Sequence, residues 1–154
     1  MTGEVVAMHI AGEAGAAMRA LAEARATAGA GLEGDRYRKS IGFYSGRSGD
    51  GRQLTLIEGE ALEAVAAEAG IVLEAGESRR NVTTRGVRLN DLVGKRFAVG
   101  EVVCRGVRLC PPCTHLEELT GKPVLRPLID RGGLRADILV GGTIRVGDAV
   151  REVE

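Results

Sequence analysis

Twenty-three of the 154 residues are glycine, and they follow no collagen-like period. Glycine reaches backbone conformations closed to other residues, so this density implies many tight turns and short elements between them. Short strands with many corners suit that punctuation better than long helices. Hydrophobic residues make up 44% of the chain but aromatic ones only 3%, so the interior must be packed from Val, Leu, Ile and Ala. Two Phe, two Tyr and no Trp leave too few rings for a base-stacking platform. Twenty-one basic side chains balance 21 acidic ones, which removes any global field for recruiting nucleic acid or an anionic membrane. A chain of 154 residues supplies one core, so residues 1–154 are expected to form a single domain without separate cofactor and substrate domains.

The apolar stretch at residues 5–10 is too brief for a signal peptide and is interrupted by His9. No apolar run approaches the roughly 20 residues that cross a bilayer. The expected location is therefore the cytoplasm, with no membrane partner. In that setting the three cysteines, Cys104, Cys110 and Cys113, read as reduced thiols rather than a disulfide framework.

Residues 5–10 and 53–57 read as strands. Residues 14–28 are ambiguous, because their Ala, Glu and Arg content favours helix while Ala20, Ala22, Ala24 and Ala26 recur with a period of two. Residues 29–51 are glycine-rich, charged and aperiodic, and read as a loop. Leu62, Val65, Ala66 and Ala69 have helical spacing, ended by Gly70. From Asn81 onward short strands are separated by Gly86, Gly94, Gly100 and Gly106. Residues 92–103 echo residues 139–150 at an offset of 47, each copy with a Gly-acidic turn, which predicts two similar hairpins. The fold expected is mainly β (α+β): a small closed antiparallel β-barrel with two or three short helices attached.

The chemistry is concentrated at Cys110-Pro-Pro-Cys-Thr-His-Leu-Glu-Glu-Leu-Thr-Gly-Lys-Pro123. Thr114 and Glu117 form a capping-box pattern, and Gly121 with Pro123 ends the segment, so a short helix is expected to start just after Cys113. The unpaired N–H groups of a first turn stabilise a thiolate, which makes Cys113 a candidate nucleophile or soft-metal ligand. Cys104 follows Val102 on one face of a strand and reads as a small buried hydrophobe. Cys110 stands between the two readings. A Cys110/Cys113 redox pair lacks a surrounding βαβ pattern, and zinc held by Cys104, Cys110, Cys113 and His115 lacks the usual paired spacing. Arg79, Arg80, Arg85, Arg88, Lys95 and Arg96 cluster in sequence, most simply as a solvated face. Arg79-Arg80-Asn81 nevertheless opens directly into a strand, where two guanidinium forks and an amide suit a phosphate or planar heterocycle. His9 and His115 read as structural, since neither has an acid beside it.

Taken in order, Gly31-Leu-Glu-Gly-Asp-Arg-Tyr37, Arg52-Gln-Leu-Thr-Leu-Ile57 with Glu60, Arg79-Arg-Asn-Val82, Leu89-Asn-Asp-Leu-Val-Gly-Lys-Arg-Phe97, Cys110-Pro-Pro-Cys113 with Leu116-Glu-Glu-Leu-Thr-Gly121, and Gly142-Thr-Ile-Arg-Val-Gly-Asp148 resemble the MOSC family. That family is named for the C-terminal domain of molybdenum-cofactor sulfurases, and the chain looks like a small stand-alone bacterial-type member. The resemblance implies a β-barrel-rich fold, a molybdopterin-type molybdenum cofactor and an essential cysteine, at the position of Cys113, that carries sulfur as a persulfide or ligates molybdenum. Arg36, Arg79 and Asn81 match positions where relatives hold the pterin and its phosphate. As a sulfur carrier, Cys113 would take sulfur from a cysteine desulfurase, with Cys110 available to resolve it. As a molybdenum-dependent oxidoreductase, the protein would reduce N-hydroxylated substrates with electrons from a donor protein. No pyridoxal-phosphate site is seen in the chain. A non-catalytic molybdopterin-holding module and a Cys110/Cys113 thiol redox protein are the other readings. Exposed barrel edges or residues 42–51 would support a homodimer, although no apolar stripe identifies the face.

Overall fold

The computed structural model describes residues 2–12, 15–35, 53–73, 76–111 and 114–153. Within them run β1 (Thr2–Ile10), β2 (Arg19–Leu21), β3 (Glu23–Thr27), β4 (Gly31–Leu32), β5 (Leu54–Glu58), α1 (Gly59–Ala69), β6 (Val82–Arg85), β7 (Arg96–Val99), β8 (Val102–Leu109), α2 (Thr114–Thr120), β9 (Leu134–Val140), β10 (Gly142–Arg145) and β11 (Ala149–Glu152). A 3-10 turn covers Leu89–Leu92.

Strands β11, β7, β8, β9, β5, β6 and β1 pair in that order, and β1 pairs back onto β11 to close a barrel of seven. Closure leaves no long unpaired edge on those strands. Their alternation fills the interior with Val5, Leu54, Leu56, Val82, Phe97, Val99, Val102, Cys104, Leu134, Ile138 and Val150, as the scarcity of aromatics requires. The second, smaller sheet runs β10-β3-β4, and β2 extends β1 outside the closed ring.

The barrel is closed and largely antiparallel, as the sequence predicts, with one parallel pair that makes it mixed. β5 and β6 run parallel, with Leu56 opposite Val82. Parallel neighbours need a crossover, and α1 lies between them. α1 begins three residues earlier than its apolar spacing suggests and ends where Gly70 turns left-handed (φ 69°), its N–H bonding Ala66 O at 3.1 Å. Beneath α1 and α2 lies a second cluster, Ile57, Val65, Leu116, Val124 and Leu128.

The ambiguity at 14–28 resolves toward strand. In β3, Ala24 and Ala26 are buried while Glu23 and Arg25 are exposed, so the two-residue period prevails over helical propensity. The two echoed segments diverge. β7 and β8 form the expected hairpin, but β10 pairs with β3 and β11 with β1 and β7, so the second copy is a corner between sheets. The first turn instead lies against the strands of the second copy, Gly100 N–H bonding Ala149 O of β11 at 2.9 Å and Glu101 Oε2 accepting from Thr143 N–H of β10 at 2.9 Å. Within the expected loop at 29–51, Gly31–Leu32 forms β4, and residues 36–52 lie outside the described residues.

Candidate functional site

Antiparallel register places Arg108 of β8 opposite Arg135 of β9, and Arg135 opposite Thr55 of β5. Their neighbours Leu134, Leu54 and Leu56 point into the core, so Arg135 and Thr55 lie on the opposite face of the sheet. Thr55 joins Asn81, which immediately precedes β6, through a Thr55 Oγ1–Asn81 Oδ1 bond of 3.1 Å. Asn81 in turn meets His9 of β1, whose carbonyl accepts from Asn81 Nδ2 at 3.2 Å. Four of these five residues, Arg135, Thr55, Asn81 and His9, are buried. Buried polar residues of this density on one row point to a site rather than to an ordinary solvated face.

Asn81 is fully buried, and its side chain is engaged by the fold. Its Oδ1 accepts from both the backbone N–H and the hydroxyl of Thr55, each at 3.1 Å, while its own N–H donates to Thr55 Oγ1 at 3.0 Å. It therefore joins β5, β6 and β1 through Thr55 and His9.

Arg79 and Arg80 face different ways. Arg79 holds a left-handed backbone (φ 62°), a conformation costing a residue with a side chain about 1–2 kcal/mol, and closes a turn by donating its N–H to Gly76 O at 2.9 Å. Its Nη1 donates to Ala16 O, and the side chain lines a cavity of about 390 Å³ between Gly15, Met18, Gly76, Glu77, Leu119 and Thr120. Glu77, the acid in that lining, is neutralised by Lys122. His9 packs under the same turn, because a Cβ at Gly76 would stand 2.8 Å from His9 Cδ2. Arg80 is buried and donates to three carbonyls: Gly132 at 2.8 Å, Ser78 at 3.2 Å and Pro111 at 3.4 Å. Of the two adjacent guanidinium forks, that of Arg80 is thus taken up by backbone carbonyls. The remaining basic residues of the run behave as a solvated face, with Arg85 paired to Glu63, Arg88 to Asp91 and Lys95 to Glu152, exposed pairs of about 0–1 kcal/mol each.

Cys104 is fully buried in the barrel core, and burial with the nearby Asp137 charge pushes its thiol up to about 12. It is the structural cysteine that its strand position suggests. Cys110 is also buried, its N–H donating to Gly133 O at 2.7 Å where β8 leaves β9. Six residues of extended chain separate Cys104 from Cys110, roughly 20 Å at the usual strand rise, so a zinc site sharing both is not formed. Among the described residues no group of three His, Cys, Asp or Glu is assembled to hold a metal ion. Cys113 and Arg36 lie outside the described residues. α2 runs from Thr114 to Thr120 and is followed by Gly121, whose N–H bonds Glu117 O at 2.9 Å, while Glu117 Oε2 accepts from Leu125 N–H at 3.0 Å.

Arg135 and Arg108 carry no signal of their own in the sequence, and Thr55 stands only within the Arg52–Ile57 motif. Arg135 alternates with Leu134 and Ala136 like any outward strand residue, and only tertiary burial distinguishes it. Arg79 and Glu77 stand together in the cavity wall, Glu77 paired with Lys122, and Arg135 is buried on the row.

Comparison with known proteins agrees with this architecture. The model of the MOSC domain, a family generally associated with molybdenum-cofactor binding, matches residues 44–151. The YuaD protein from Bacillus subtilis superposes with a TM-score of 0.80 at 18% identity, covering 100% of this chain and 98% of that one. YiiM from Geobacillus stearothermophilus gives 0.74 at 16% identity, covering 99% and 75%, and YiiM from Escherichia coli gives 0.69 at 18%, covering 100% and 70%. No curated protein matches the chain in sequence. Among the described residues no helix is long and apolar enough to cross a membrane.

Proposed function

The chain belongs to the MOSC domain family, and from that premise we propose that it holds a molybdopterin-type cofactor beside the Arg79 cavity, with Cys113 as the sulfur ligand of its molybdenum. The observation that carries this reading is the turn at Arg79–Arg80, which puts Arg79 on the cavity wall and Arg80 on the stem of the cysteine segment through Pro111 O. Arg79, on the cavity wall, binds the phosphate end. Asn81 and Thr55 keep the strands beneath them in register. The bound cofactor supplies a two-electron metal centre suited to removing oxygen from an N-hydroxylated substrate, with electrons from a donor protein.

Burial of Cys110 favours the ligand role over sulfur carriage, since a resolving thiol must be reached by the group it resolves. The test is metal and pterin analysis of protein made in a cell that synthesises the cofactor. Near-stoichiometric molybdenum and pterin are expected in the wild type and in Cys104→Ser. Cys113→Ser should lose most of the metal, and Arg79→Gln should lose pterin several-fold. Equal metal content in Cys113→Ser and Cys104→Ser removes the ligand role. A persulfide on Cys113 after incubation with a cysteine desulfurase, without bound metal, selects the carrier role instead. Full loading without turnover, given an artificial electron donor and N-hydroxylated bases, identifies a holding module.

A further inference from the structure

We infer that Arg80 is a positioning residue, which locks the stem of the cysteine segment onto the barrel and does not bind ligand. The inference rests on the reading of Cys113 given above. Its basis is separate: one buried guanidinium, bonded to carbonyls on both sides of the place where the β8–β9 pairing ends and to a carbonyl of its own turn.

Arg80 Nε donates to Gly132 O just before β9, Nη1 to Ser78 O in its own turn, and Nη2 to Pro111 O beyond β8. Pro111 follows Cys110, whose N–H is held by Gly133 O at 2.7 Å, so residues 110–111 and 132–133 are clasped from both sides. Proline has no N–H, so Pro111 cannot donate to a neighbouring strand, and its carbonyl is the group left for anchoring. A planar fork suits this task because its donors diverge in fixed directions, whereas an ammonium concentrates its charge at one point. The buried charge faces carbonyl oxygens, and its solvation is replaced by three dipoles. Arg79, one residue earlier and left-handed, points its side chain to the cavity, so a single turn delivers one arginine to the ligand side and the next to the stem.

The test compares wild type, Arg80→Gln, Arg80→Lys and Val150→Ala. Val150 is fully buried in β11 and lies outside the site, so its truncation supplies loss of stability alone. Amide exchange of the peptide spanning residues 109–120 is followed by mass spectrometry, together with the pH profile of Cys113 alkylation. Arg80→Gln should speed exchange in that peptide at least tenfold beyond Val150→Ala at matched global stability, and should slow or broaden the Cys113 alkylation profile. Arg80→Lys should fall between, and carries the comparison alone should Arg80→Gln not fold. Exchange in that peptide that follows global stability equally in every variant overturns the inference. An ordinary thiol profile for Cys113 in the wild type, with exchange still released by Arg80→Gln, removes the thiolate reading and leaves the positioning role standing.

Discussion

Thr55 and Asn81 show how two residues join three strands. The threonine hydroxyl accepts the asparagine N–H and donates to the asparagine carboxamide, so each partner is both donor and acceptor in a site without water-facing surface. Removing one partner leaves buried groups of the other without compensation, at about 1–3 kcal/mol per group. Asn81→Ala is expected to lower stability by about 2–4 kcal/mol on that scale and Thr55→Val by about 1–3, measured by urea unfolding. The double variant should cost clearly less than the sum, because both changes break the same bonds. Strict additivity would show that the two side chains act independently.

Glycine at element ends separates two physical reasons for one residue type. Gly70 ends α1 in the left-handed region with open space where a Cβ would stand, so Gly70→Ala meets only conformational strain and is expected to cost about 1 kcal/mol. Gly133 has φ 111°, and a Cβ there would lie 2.0 Å from Leu56 O, against the parallel-strand end of the site. Gly133→Ala must displace β5 or β9 and should destabilise by more than about 3 kcal/mol, or prevent folding. Thermal unfolding of the pair checks this. Similar small losses would mean that the β9 entry yields easily, and with it the anchor of Cys110.

At the scale of the whole molecule, acid stability follows from burial of an imidazole within the row that joins β1 to the site. Burial lowers the pKa of His9 below its ordinary 6.5, so the folded protein holds it neutral while the unfolded chain takes up a proton. Stability from this residue is complete above about pH 6.5 and is lost as pH falls toward the lower folded value. Urea stability between pH 7.5 and 5 is therefore expected to fall more steeply in the wild type than in His9→Gln. Parallel curves would assign the acid limb to other groups.

Much of this molecule could be read along the chain: the glycine-punctuated strands, the helix stopped by Gly70, the buried role of Cys104, and the family, carried by ordered motifs from Gly31 to Asp148. These features are local, arising from periodicity, backbone freedom and composition within a few residues. The parallel β5–β6 pair, the parting of the two echoed turns and the burial of Arg135 and Asn81 were decided only by tertiary structure. Each depends on which distant segment covers or pairs with a residue, and the residue types involved are equally suited to an exposed strand. Arg79 and Arg80 are neighbours of identical chemistry, yet one lines a cavity and the other grips backbone carbonyls, because a left-handed turn directs their side chains apart.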